Sequence, residues 1–258
     1  MSKMYCALLA CCLLLLSAAD GQARSFDEIV ASGTLRVGTT GDYKPFSFDD
    51  KGTYEGFDIA VAQSFANRLG LKLELVKTTW KTLMADLKAD KYDIGMSGIT
   101  RTIARQKEAR FGQGYVMFGK TVLVNRDNVT RFASLGDVDK KGVRIGVNPG
   151  GTNEKFVKAN IKNAEVVMFE SNLSIPPAVA DKKVDVMITD SVEALYYAAT
   201  NPKLAAPLDG DPFTRAELGY LMPASAERLQ DTVNFMMDQM TLKGEMTALK
   251  MQYLHMTE

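Results

Sequence analysis

The stretches KADKYDIGMSGIT (88–100) and VADKKVDVMITDS (179–191) share an order of residues: Ala-Asp-Lys, a second Asp, a short apolar run, then Ser or Thr. Each reads as the end of a helix, a tight turn and a buried strand whose carboxyl end opens on polar residues. A chain that builds this unit twice folds as two similar α/β halves, and polar residues at strand ends face a ligand crevice. The echo therefore predicts two lobes across a cleft; chance recurrence of Ala-Asp-Lys turns is the competing reading.

The surrounding pattern is βαβ. TLRVGTT (34–40) reads as a strand, GFDIAVAQSFANRLG (56–70) as an amphipathic helix closed by Gly70, and LKLELVKT (71–78) as the next strand. YVMFGKTVLVN (115–125) is a long β-prone run that carries the chain from one lobe into the other, and GVRIGVN (142–148) starts a strand beyond it. ELGYLMP (217–223) reads as the return crossing, followed by helices from about Ala224 to Leu254. The first lobe is then discontinuous, 24–118 with 214–258, and the second is 119–213. Pro176 and Pro177 fall where a helix should precede the second strand, so that helix either starts late or is kinked.

At the amino end, Lys3, an apolar run from about Tyr5 to Leu16 and small residues up to Ala23 form a secretory signal peptide over 1–23. The run is shorter than the roughly 20 residues of a membrane span, so no membrane insertion is expected after cleavage. All three cysteines, Cys6, Cys11 and Cys12, lie inside it, leaving an exported chain without disulfides, held by its core. Lys+Arg and Asp+Glu both number 31, a balance that offers nothing to nucleic acid or an anionic membrane surface. The only histidine is His255, three residues from the end. Ser-His-Asp and Cys-His catalysis and ordinary zinc sites are thereby excluded, and carboxylates, lysines, arginines, hydroxyls and amides remain.

Three segments carry such groups to strand ends. In SGITRTIAR (97–105), Ser97 and Thr100 leave a strand and Arg105 lies where a helix begins. An arginine there can grip a carboxylate through two parallel bonds, or be a solvated surface residue like Arg101 and Lys107. In VNPGGTNEKF (147–156), Pro and two glycines let backbone approach a ligand, and Thr152 and Asn153 stand at a helix start, with Thr152 a candidate N-cap. The segment does not match a phosphate-binding Walker loop. In VMITDSVEAL (186–195), Asp190 and Glu193 are either a helix cap with a dipole-favoured acid or two members of a site. Trp80, the only tryptophan, sits between a strand and a helix and suits a pocket wall or a core equally.

GTLRVGTTGDYKPFSF, GFDIAVAQSFANRLG, DIGMSGIT with Arg105 downstream, and the strand ending in Thr-Asp resemble the periplasmic solute-binding proteins of polar amino-acid transporters along nearly the whole mature chain. The resemblance implies an α/β fold of two Rossmann-like lobes joined by two hinge strands, the type II binding-protein arrangement, located in the periplasm. In that family the arginine matching Arg105 and the threonine near the second-lobe helix start hold a ligand carboxylate, and the acid matching Asp190 holds an ammonium. TTGDYKPFS, MSGI, the Gly-Lys-Thr of the crossing, NPGGTNEKF and TDxxE are closer still to an enzymatic branch, the cyclohexadienyl dehydratases. That branch converts prephenate to phenylpyruvate and arogenate to phenylalanine with loss of water and CO2, and the resemblance implies neither cofactor nor metal. It implies Glu193 as general acid; Asn148, Thr152, Asn153, Arg105 and Lys120 on the substrate carboxylates; and Tyr43, Trp80, Ser97 and Thr100 along the first-lobe wall. A non-catalytic amino-acid-binding protein of a transporter is the alternative. It has use for the acid matching Asp190 and none for Glu193.

Overall fold

The structure is a computed structural model describing residues 23–208 and 210–256. Apart from Ala23, the segment 1–23 expected to be a signal peptide, with its cysteines, lies outside the described residues. Two five-stranded sheets form the two lobes. The first runs Lys72–Lys77, Thr34–Thr39, Ile94–Gly95, Leu221–Pro223, Ala109–Phe111, with the first three parallel and Leu221–Pro223 antiparallel to both neighbours. The second runs Glu165–Met168, Arg144–Val147, Val186–Asp190, Lys120–Asn125, Leu204–Ala205, again with three parallel strands, then an antiparallel one. Central strands such as Val186–Asp190 are buried along their whole length, as strands covered on both faces must be. The helix Phe57–Leu69 buries Phe57, Val61 and Phe65, four residues apart and so on one face, and ends at Gly70, whose φ of 68° lets its N–H reach back to Ala66 and Asn67.

The sequence echo is also a structural one. Arg36 bonds Asp93 through its backbone N–H (2.7 Å) and Nε (3.2 Å), and Arg144 bonds Asp185 through the same atoms (2.9 and 3.0 Å). In each lobe this pair clasps the first parallel strand to the one that ends in the cleft. The turns before the acids each hold a left-handed residue, Asp90 (φ 53°) and Lys182 (φ 58°).

The long run over 115–125 is not one strand. It breaks at Gly119 into Val116–Phe118 and Lys120–Asn125, and the return run splits into Ala216–Leu218 and Leu221–Pro223. The outer pieces, Val116–Phe118 and Ala216–Leu218, pair antiparallel, so the two crossings form one ribbon between the sheets. The break is a place where only glycine fits: a Cβ on Gly119 would sit 1.8 Å from the Thr214 carbonyl oxygen. Pro176 and Pro177 occupy the first turn of a late-starting helix, Ile175–Ala180, where missing N–H groups cost nothing.

Beside the crossings, Asp58 is fully buried and accepts from the Gly98 N–H (2.5 Å), the Tyr115 hydroxyl (3.0 Å) and the Tyr220 hydroxyl (3.2 Å). Burial pushes its pKa up to about 7 against the pull of those three donors. Tyr115 and Tyr220 flank the crossing strands and stack at 4.7 Å, so one carboxyl joins both crossings to the cleft wall.

Candidate active site

Strand ends and helix starts from both lobes converge on the cleft. Asp190 and Lys120 are directly opposite in an antiparallel pair, which places carboxylate and ammonium side by side. They form an ion pair in which both side chains are about 5% exposed. Lys120 Nζ also donates to Thr152 Oγ1 (2.8 Å) and Asn153 Oδ1 (2.5 Å), so its three hydrogens are all engaged within the protein. As arranged, Lys120 has no N–H left for a ligand carboxylate, unlike the role the resemblance implies. Asp190 accepts in addition from the Tyr43 hydroxyl of the other lobe at 2.5 Å.

The helix-cap readings do not hold. Asp190 stands at the N-cap of Ser191–Thr200 but makes no side-chain cap bond, its oxygens being turned to Lys120 and Tyr43. Thr152 is the first helical residue of Thr152–Asn160, and Gly151 is the N-cap. The Thr152 hydroxyl serves Lys120 and lies 3.3 Å from Thr100 Oγ1 across the cleft.

Glu193 is 0% exposed and accepts from Asn172 Nδ2 at 2.6 Å and from the Thr189 hydroxyl. No cation among the described residues pairs with it. Its pKa stands well above the ordinary carboxyl value, chiefly from burial, with the nearby Asp190 and Asp42 charges adding and the Thr189 and Asn172 bonds opposing. A carboxyl whose burial favours its protonated form is suited to donate a proton.

Arg105 is buried, not solvated. Its backbone N–H is capped by Thr102 (3.2 Å), and its guanidinium makes one bond, to the Thr100 carbonyl (2.8 Å), with no carboxylate partner among the described residues. Burial lowers its pKa to about 10, against the opposing influence of Tyr92 and Asp190. Arg101 is ion-paired with Glu217 and Lys107 is exposed, as expected of surface cations.

Tyr43, Trp80 and Thr100 from one lobe and Asn148, Thr152, Asn153 and Asp190 from the other border one cavity of about 20 Å³. Trp80 and Asn148 also border a larger outer groove of about 620 Å³, so they separate the inner site from its mouth. Trp80 serves both suggested purposes, since it packs against the first-lobe core while its Nε1 donates to Asp42 Oδ1 (2.8 Å). Arg105, Lys120 and Glu193 lie behind this lining, and Ser97 does not border the cavity either: its Oγ is bonded to the Thr40 N–H (3.1 Å) and hydroxyl (2.8 Å), tying two strand ends together.

Sequence reasoning passed over Asn172, Asp42 and Thr189. Thr189 and Asp42 adjoin residues already singled out, and a finer reading of VMITD and TGDY could have found them. Asn172 lies in a short turn, Asn172–Ser174, with no periodicity or motif to mark it.

Two α/β lobes joined by a paired double crossing, with ionisable groups from both meeting in the cleft, define the two-lobed binding proteins of type II. Residues 35–256 match the bacterial extracellular solute-binding proteins, family 3, and the chain belongs to that family. A cyclohexadienyl dehydratase of Pseudomonas aeruginosa is 45% identical over 215 residues, 82% of this chain and 80% of that protein. The crystal structure of an ancestral amino acid-binding protein, described as a precursor of cyclohexadienyl dehydratase, has a TM-score of 0.82 at 38% identity, covering 88% of this chain and 98% of its own. That of an ancestral cyclohexadienyl dehydratase has a TM-score of 0.57 at 51% identity, covering 91% and 98%. No helix among the described residues is long and apolar enough to cross a membrane.

Proposed function

We propose that this chain is a cyclohexadienyl dehydratase, a carbon–oxygen lyase of the periplasm that converts prephenate to phenylpyruvate with Glu193 as general acid. One lobe comprises 24–118 with 214–258 and the other 119–213. The observation that carries the reading is the environment of Glu193: fully buried, without a cation, and with its pKa raised well above the ordinary value. A protein that only binds a ligand gains nothing from such a group, whereas a dehydratase needs a proton at the leaving hydroxyl.

The reaction balances with that one acid. Glu193 gives its proton to the ring hydroxyl and the carbon–oxygen bond breaks, releasing water. The ring carboxylate leaves as CO2, and its bonding pair enters the ring, which becomes aromatic. Arg105, a buried cation without a counter-ion, takes the side-chain carboxylate, assisted by Asn148, Thr152 and Asn153. Lys120 holds Thr152 and Asn153 in place and neutralises Asp190. Tyr43, Trp80 and Thr100 close the opposite wall. A cavity of about 20 Å³ has room for about one water, so substrate enters only when the lobes part.

The second reading, an amino-acid-binding protein, rests on the likeness to the ancestral binding protein. An amino-acid binder needs the acid at Asp190 free for the ligand ammonium, and here Lys120 occupies it. The same pairing favours prephenate, with a keto group at that point, over arogenate, with an ammonium. The test is turnover of both substrates by the purified mature protein: kcat/KM at least about tenfold higher for prephenate is expected. Inertness toward both, with tight binding of an amino acid, would refute the proposal.

A further inference from the structure

Asn172 is 2% exposed, borders the cavity and has its two side-chain ends in different states. Nδ2 donates to Glu193 Oε1 at 2.6 Å. Oδ1 is, among the described residues, the one buried side-chain nitrogen or oxygen with no hydrogen-bond partner. A buried amide oxygen left unpaired is unfavourable, and folds retain such groups where something else completes them. The turn that carries it is fixed from the other lobe, where Asp42 Oδ2 lies 3.5 Å from the Asn172 N–H.

We propose that Asn172 is a catalytic residue whose Oδ1 accepts the hydrogen of the substrate's departing ring hydroxyl while its Nδ2 holds Glu193. This assignment rests on the dehydratase reading. Oε1 accepts from Nδ2 and Oε2 from the Thr189 hydroxyl, so the amide fixes the orientation of the carboxyl group that delivers the proton. With its own hydrogen held by Oδ1, the substrate hydroxyl turns a lone pair toward that proton. Proton transfer makes the second O–H bond, the carbon–oxygen bond breaks, and the departing water stays bonded to Oδ1. Glu193 is left as a carboxylate, stabilised by the Asn172 Nδ2–H and the Thr189 hydroxyl until solvent returns a proton.

The test is Asn172→Leu, which keeps the size and removes both functions. For prephenate at pH 7, kcat should fall about 100-fold, within the range for losing one aligned polar partner of a proton transfer. KM should change less than about threefold, because the contact strengthens at the transition state. The alkaline limb of kcat should move to higher pH, since the Asn172 bond lowers the Glu193 pKa and its loss lets that pKa rise. In a Glu193→Gln background the same substitution should cause no further loss, because both residues act on one proton. Circular dichroism checks the fold, and Asn172→Ser is judged by the same criteria should the leucine variant not fold. Wild-type kcat with an unmoved pH profile, or a loss that adds in full to that of Glu193→Gln, would overturn the inference alone. An inert wild type would overturn the dehydratase reading and the inference with it.

Discussion

Replacing Arg105 with methionine is expected to stabilise the protein and to remove its hold on a carboxylate. Arg105 is 7% exposed, and among the described residues its guanidinium is bonded only to the Thr100 carbonyl, at 2.8 Å. Burial lowers its pKa from 12.5 to about 10, which corresponds to about 3 kcal/mol of unfavourable charging on folding. Since the folded-state value lies below the unfolded one, burial disfavours the charged form, and the cost is present at every pH below about 10. The bond to Thr100 offsets about 1 kcal/mol of it. Methionine keeps an apolar stem and discards the charge, for a net gain of about 2 kcal/mol and a Tm higher by about 4–8 °C in a chain of this size. Ligand affinity moves the other way. Losing a charge-assisted pair worth about 3 kcal/mol weakens binding about 100-fold. Scanning calorimetry with and without phenylpyruvate reads both effects: wild type is stabilised by the ligand, whereas Arg105→Met unfolds at higher temperature and ignores it. A variant less stable than wild type, or one that binds within about threefold of it, would refute the reasoning.

Two further outcomes concern the fold around the cleft. Asp58, with a pKa of about 7 against an ordinary 3.8, favours the folded state most at low pH, and that contribution disappears as pH rises from about 4 to 7. Asp58→Asn should flatten that part of the stability curve, removing a decline of up to about 4 kcal/mol, as urea unfolding at several pH values would reveal; an unchanged slope would contradict it. Gly119→Ala forces the two crossings apart, because its Cβ meets the Thr214 carbonyl at 1.8 Å, and should cost about 2 kcal/mol or more in stability. A Tm equal to that of wild type would show that the crossings yield freely.

The two-lobe plan was legible because the repeated turn-and-strand unit carries it in a short local pattern, and local patterns survive in sequence. The Arg36–Asp93 and Arg144–Asp185 clasps show why the unit recurs: the second Asp of each copy pins its strand to the first parallel strand of its lobe. The break at Gly119 was not legible, since YVMFGKTVLVN is β-prone throughout and the backbone that approaches Gly119 closely, at Thr214, is remote in sequence. Strand-end residues such as Asp190 and Thr100 were found because topology sends strand ends to the cleft. Ser97 came with them yet turned to Thr40, as a two-residue period cannot tell a wall from its support. Lys120 and Asp190 were both named, but their pairing depends on antiparallel register, which composition and motifs do not encode. Asn172 escaped because nothing in its own segment marks it; only the buried acid it touches does.

The most direct measurement is single-turnover conversion of prephenate by wild type and by Glu193→Gln, with substrate binding followed in parallel. Glutamine keeps the shape, can accept from Asn172 through its one oxygen and donate to the Thr189 hydroxyl through its amide N–H, but it has no acid proton to give. The expected result is rapid release of phenylpyruvate by wild type, and in Glu193→Gln a loss of about 1,000-fold or more with the dissociation constant changed less than about threefold. Full activity in Glu193→Gln, or no phenylpyruvate from wild type, would contradict the assignment of Glu193 as the general acid of a dehydratase.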